Sequence, residues 1–352
     1  MAVLVLSAAV CSASDLPPSK AKQIDSLFAP FTGNVPGASV MVIHNGAVLY
    51  KKAYGLAEME KHIPATTATD YRLASVTKQF TAMAIMMLAE RKLLSYDDPL
   101  TKFFPGYPGY GQAIKVRHLL THTSGLLDYE DLIPEGTSLP VLDRDVLRLL
   151  VAQNHTYFPP GGAYRYSNTG YAHLAQIVEV VSHMPFAYFL KKNIFEPLGM
   201  DGTLAFEQGI STVPDRAYGY TVKDGAVSAT DQSLTSSVLG DGGIYSSVED
   251  LYKWDQALYT EKLVRAETLQ RAFTSAKLND GKSTGYGFGW EIGTYRGFRT
   301  VRHSGHSVGF STGIARFPDA HFTVIVLTNR SNVETLEVAD QVAGLFDFRR
   351  QP

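Results

Sequence analysis

The chain has 352 residues, 45% hydrophobic and 19% charged, which gives it the length for two lobes and the balance of a folded protein with a substantial core. Its 32 basic and 34 acidic residues are mixed along the sequence and leave a formal net charge of −2, so neither nucleic acid nor anionic lipid is expected as a partner. No segment reaches the roughly 20 apolar residues that a transmembrane helix needs.

The first stretch, MAVLVLSAAVCSASD (residues 1–15), holds an apolar run of about a dozen residues, the length of a signal-peptide core. Export to a periplasmic or extracellular compartment is therefore expected. A basic n-region is missing, Lys20 being the first cation, and a buried N-terminal helix is the alternative. Cys11 is the single cysteine and lies in this run, so a processed chain carries no thiol and no disulfide. Ala8-Ala9-Val10 before it is a poor match to a lipid-attachment box.

A short helix is predicted near residues 20–29. GASVMVIHNGAVLYKKAYG then reads as two strands joined at Asn45-Gly46, the pair that best supports a type I′ turn. SVTKQFTAMAIMMLAERKLL has helical composition and is apolar on every side from Ala82 to Ala89, the mark of a helix enclosed by protein. From about 110 to 260, helical patterns such as IKVRHLLTH, DVLRLLVAQ and YAHLAQIVEVVSHM alternate with Pro- and Gly-rich connections. Beyond about 285 the pattern becomes antiparallel strands broken at Tyr295-Arg296-Gly297 and Pro318-Asp319-Ala320, with a closing helix from about Val333 to Phe346.

Strands at both ends and helices between them predict an α/β (α+β) fold. One antiparallel sheet is built from the N- and C-terminal parts and flanked by helices, and an all-helical domain is inserted between those parts. The boundaries fall at 16–74 and 250–352 for the sheet-containing part and 75–249 for the mainly helical insert, with the active site at their interface.

Two serines compete for the role of nucleophile. Gly305-His306-Ser307-Val308-Gly309 spells G-x-S-x-G, but an elbow serine needs a helix after it, and VGFSTGIARF continues as a strand. Ser75 and Lys78 form S-x-x-K at a helix start, where residues three apart project from one face. Ser19 and Lys22 satisfy the same motif, and an N-cap serine is the structural alternative for Ser75. Lys78 distinguishes the second site: it is the only charge between Arg72 and Glu90, on a helix built to be surrounded. Deprotonating a lysine of ordinary pKa at pH 7 costs about 4.6 kcal/mol, so burial and the helix N-terminus must lower that pKa if the amine is to act as a base.

A proton partner is available in Tyr166-Ser167-Asn168, the only Y-x-N, although Ser167 or Asn168 also suits as the cap of the helix that follows. His303-Ser304-Gly305 lies on a predicted strand, with His303 and Gly305 on one face. There glycine leaves room for a substrate backbone against the sheet edge. His303 and His306 point to opposite faces, and no HExxH or Cys-His cluster exists, so no metal and no cofactor are expected. His122, Ser124 and Gly125 read as a helix end and its turn, and Ser246 with Glu249 as a capping box.

Ser75-x-x-Lys78, Tyr166-Ser167-Asn168 and His303-Ser304-Gly305, in that order and widely separated, resemble the serine β-lactamase-like family of class C β-lactamases, D-alanyl-D-alanine carboxypeptidases, D-aminopeptidases and esterases. HLLTHTSGL, GGIYSSVEDLYKW and YGFGW are similar to family segments too. The resemblance implies an acyl-enzyme on Ser75, proton transfer by Lys78 and Tyr166, and substrate binding by Asn168, His303, Ser304 and Gly305. It also implies an oxyanion hole from the backbone N–H groups of Ser75 and His306. The substrate would be a small molecule or peptide: a D-amino-acid peptide, an ester or a β-lactam. Class C enzymes carry Lys-Thr-Gly at the third motif, and His303 in that place favours the peptidase and esterase branches. A class C-type β-lactamase and a penicillin- or cell-wall-binding protein without turnover are the alternatives. Oligomeric state is not legible.

Overall fold

The computed structural model describes residues 16–347; the expected signal segment and Cys11 lie outside them. Six antiparallel strands form the main sheet: β1 (Ala38–His44), β2 (Ala47–Tyr54), β3 (Glu291–Tyr295), β4 (Phe298–Ser307), β5 (Phe310–Phe317) and β6 (Phe322–Thr328). Their order across the sheet is β3-β4-β5-β6-β1-β2. The two ends of the chain therefore meet along the β1/β6 seam, from Ala38 opposite Thr328 to His44 opposite Phe322. The β1–β2 turn is as expected, with Asn45 and Gly46 both left-handed at φ 50° and 78°.

ASVMVIH and FTVIVLT are buried along nearly their whole length because these two central strands are covered on both faces. Alternate residues go to different cores. Val40, Val42, Val324 and Val326 pack with helix α1 (Pro18–Leu27) and with the closing helix, Thr335–Ala343, shorter at both ends than the pattern predicts. Met41, Ile43, Ile325 and Leu327 face the larger core, which holds helix α2 (Lys78–Glu90) and helix α3 (Asn168–Ser182). Every residue of α2 from Lys78 to Leu88 is buried, as its all-round apolar composition requires. It ends where Lys92 turns left-handed at φ 59° and the Leu93 N–H returns to the Leu88 carbonyl at 3.1 Å.

The insert departs from the all-helical expectation. Within it Leu204–Ala205 and Ile244–Ser246 pair antiparallel, joined by Tyr71–Arg72 from just before the insert, and Tyr220–Lys223 with Ala226–Ala229 form a hairpin. Strands of two to four residues are too short for a period-2 signal to register. In place of the expected capping box at Ser246 and Glu249 there is a simple cap one residue later. Ser247 caps helix α4 (Val248–Ala257) by accepting the Asp250 N–H, while Ser246 is buried against Thr203.

Candidate active site

Ser75 sits in a single turn of 3-10 helix, Ala74–Thr77, that feeds directly into α2. The residue before it, Ala74, is left-handed at φ 47°, a conformation that costs an alanine roughly 1–3 kcal/mol and persists only under strong local constraint. That constraint is visible at Leu73. Its N–H bonds the Ile244 carbonyl at 2.8 Å, and its own carbonyl accepts the Thr312 hydroxyl of β5 at 2.6 Å.

Lys78 is fully buried, and its amine makes three bonds of 2.9 Å: to Ser75 Oγ, to Asn168 Oδ1 and to the main-chain carbonyl of Asp241. All three partners are neutral oxygens. Burial pulls the Lys78 pKa down to about 8, against the opposing pull of the Asp241 and Glu130 carboxylates nearby. Burial also raises Asp241 to about 6, held down in part by Lys78 and by the Tyr129 hydroxyl, which donates to Asp241 Oδ2 at 3.1 Å.

Tyr166 lies beside this pair, with the Lys78 amine 4.9 Å from its ring centre and Ser75 among the groups that act on its phenol. The residue keeps 37% of its surface open, yet desolvation of the phenol pushes its pKa well above 10, so Tyr166 holds its proton where Lys78 tends to lose one. Asn168 is the first residue of α3, and Ser167 caps that helix by accepting the Gly170 N–H at 3.4 Å; the capping and site readings of this motif hold together. The other end of the Asn168 amide donates to Glu130 Oε1 at 3.1 Å.

On β4 the register settles which backbone groups are free. Ser307 and Phe310 close a two-residue hairpin, and Tyr295 and Phe298 close another, so odd residues of β4 bond to β5 and even residues to β3. The β3 pairing stops at Glu291 opposite Arg302, which leaves the edges of Ser304 and His306 without a strand. The His306 N–H consequently points out from that open edge. Gly305 has a different purpose from the one expected: a Cβ there would stand 2.2 Å from the Leu73 carbonyl oxygen and 2.9 Å from Ser75 N. Its bareness admits the backbone of Leu73 and Ser75 against β4.

His303 is buried with both ring nitrogens engaged, Nδ1 donating to the Ser304 carbonyl at 2.6 Å and Nε2 accepting the Tyr286 hydroxyl at 2.8 Å. Burial and the neighbouring Lys78 lower its pKa to about 3, which leaves the ring neutral at pH 7. His306 is exposed, with Nε2 donating to the Val333 carbonyl at 3.3 Å. Ser307 ends its strand at the hairpin with no helix after it, as expected.

Ser75, Asn168 and His306 line one cleft of about 200 Å³ together with Arg72, Glu130 and Asp241, three charged residues that the motifs did not reveal. A larger groove of about 410 Å³ near Pro140, Glu179 and Ile210 shares no lining residue with it. Among the described residues no group of His, Cys, Asp and Glu is arranged to hold a metal, and no helix is long and apolar enough to cross a membrane.

A serine hydroxyl, a buried amine and a phenol are thus grouped near an open strand edge. Residues 24–345 match the family model described as Beta-lactamase, and the chain belongs to that family. It is 35% identical over 318 residues to penicillin-binding protein 4* of Bacillus subtilis, an alignment covering 86% of this chain and 70% of that one. The octameric penicillin-binding protein homologue from Pyrococcus abyssi superposes with a TM-score of 0.80 at 31% identity, over 93% of this chain and 76% of that one. The D-amino acid amidase of Ochrobactrum anthropi SV3 shares the fold, with a TM-score of 0.79 at 23% identity over 93% and 98% of the two chains.

Proposed function

We propose that the protein is a serine hydrolase that acts through an acyl-enzyme on an amide or ester carbonyl, most like the D-alanyl-D-alanine carboxypeptidases, D-aminopeptidases and esterases of its family. The observation that carries this reading is the Lys78 amine, fully buried and 2.9 Å from Ser75 Oγ with only neutral oxygens as its bonding partners. As an ammonium it donates three bonds. Once deprotonated it offers a lone pair to the Ser75 hydroxyl, which is the base a serine nucleophile needs.

In this mechanism Ser75 Oγ attacks the carbonyl carbon and its proton passes to Lys78. The oxyanion is met by the backbone N–H groups of Ser75 and His306. Tyr166, kept protonated, gives its proton to the leaving nitrogen or oxygen and recovers one from Lys78. Water then attacks the acyl carbon by the same route in reverse and frees Ser75. Asn168 holds the amine and faces the substrate amide. Neutral His303 offers no permanent cation to a β-lactam carboxylate, which favours the peptidase and esterase branches over a class C-type β-lactamase. Export remains part of this reading on the strength of residues 1–15 alone.

Brief exposure to p-nitrophenyl acetate followed by peptide mapping tests the assignment. The acyl group is expected on Ser75, with Ser75→Ala lowering turnover on the order of 10⁴-fold and Ser307→Ala far less. Label on Ser307, or equal losses in the two variants, would overturn it. A burst of one product per chain with no steady state on esters, D-amino-acid amides, D-alanyl peptides or cephalosporins would make the protein a binder without turnover.

A further inference from the structure

His122 belongs to the HTSG turn and looks structural: it is left-handed at φ 56° just after the helix Val116–Leu120. Its neighbours give it a second role. Its carbonyl accepts the Arg165 N–H at 3.0 Å, its ring Nδ1 accepts the Ser167 N–H at 3.1 Å, and its ring lies 4.3 Å from the ring of Tyr166 at an interplanar angle of 32°. One residue thus holds the chain immediately before Tyr166, the chain immediately after it, and the aromatic ring itself. We propose that His122 is the positioning residue that clamps Tyr166 over Ser75 and Lys78, and that it acts as the neutral imidazole with its proton on Nε2. This rests on the reading of Tyr166 as a catalytic proton carrier.

The tautomer follows from the bonding. Ser167 N–H can only donate, so Nδ1 must be the acceptor and Nε2 carries the hydrogen. Nε2 is buried and has no hydrogen-bond partner among the described residues, which a purely structural position would fill more cheaply with an apolar ring. The imidazole is retained where only its Nδ1 is used. The groups facing the ring are Lys78, His303 and the phenols of Tyr164, Tyr166, Tyr171 and Tyr286. Burial with Lys78 and His303 nearby holds His122 well below its ordinary pKa, so it adds no second cation beside the amine.

Two variants separate the contacts. His122→Phe keeps a planar ring against Tyr166 but loses the acceptor. In His122→Asn the Oδ1 replaces Nδ1 at the same position on the side chain, and asparagine tolerates the left-handed backbone. With kcat counted per site titrated by the p-nitrophenyl acetate burst, His122→Phe is expected to lose on the order of 10²-fold in kcat at nearly unchanged KM, and His122→Asn to recover most of it. Amide hydrogen exchange at Ser167 reads the clamp without reference to activity: slow in the wild type and in His122→Asn, faster in His122→Phe. Wild-type kcat and slow Ser167 exchange in His122→Phe would overturn the proposal. So would a folded His122→Asn with kcat as low as His122→Phe, and if His122→Phe does not fold, a folded His122→Asn that loses kcat on the order of 10²-fold overturns it alone. Acyl label on a residue other than Ser75, or a burst that survives Ser75→Ala, defeats the nucleophile assignment instead, and Ser167 exchange still decides the clamp.

Discussion

Lys78 and Arg316 are both cations removed from water, and the chain treats them in opposite ways. Arg316 Nε meets Asp255 Oδ1 at 2.6 Å, Thr323 donates to the same oxygen, and the rings of Tyr259, Phe273 and Trp290 surround the guanidinium at 4.6 to 5.8 Å. A guanidinium keeps its proton at any relevant pH, so a direct carboxylate partner fixes it as a structural pair between β5 and α4. Lys78 has no carboxylate in its hydrogen-bond shell; Asp241 reaches it through its main-chain carbonyl and keeps its own carboxylate on Tyr129. Desolvation is then only partly offset, and the amine is left close to losing its proton. The lesson is that direct pairing holds a buried charge in place, whereas hydrogen bonds to neutral oxygens leave it able to react.

The largest break in this contrast is Lys78→Met, expected to lower turnover on the order of 10³-fold or more while the chain stays folded, since an apolar side chain suits the surroundings. Steady-state rates with circular dichroism check both halves. Asp255→Ala should do the reverse, leaving Arg316 buried and uncompensated at a cost of about 3–5 kcal/mol of stability, with kcat per folded chain near wild type. Denaturant unfolding beside burst-normalised kcat reads it. Asp241→Asn sharpens the contrast more gently. With neutral Lys78 as the proposed active form, kcat/KM of the wild type is expected to rise with pH through about 8. Removing the Asp241 charge takes away an influence that favours the protonated amine, and the acid limb of the profile should move to lower pH. A limb that moves upward would contradict the electrostatics described here.

Much of this was legible because it is local. Ser75 and Lys78 are three apart at a helix start, Asn45-Gly46 specifies its own turn, and the apolar girth of α2 announces its burial. Tyr166 and His303 could be named from their motifs, but what surrounds them could not. Asp241 and Glu130 are carboxylates in four-residue helical turns, Leu239–Gly242 and Tyr129–Leu132, too short to show periodicity, and only folding brings one behind Lys78 and the other onto Asn168. Gly305 was legible as a close approach but not as an approach by Leu73 and Ser75, because contacts across more than 200 residues leave no trace in spacing. His122 is legible as a helix end, while its contacts to Ser167 and Tyr166 come from a chain segment more than 40 residues away.

The most direct test of the account is the titration of Lys78 itself, followed by NMR of the chain labelled at lysine Cε, with the resonance assigned by its absence in Lys78→Met. A midpoint near pH 8, well below the other lysines, is the predicted result. A Lys78 that titrates together with the surface lysines near pH 10.4 would contradict it.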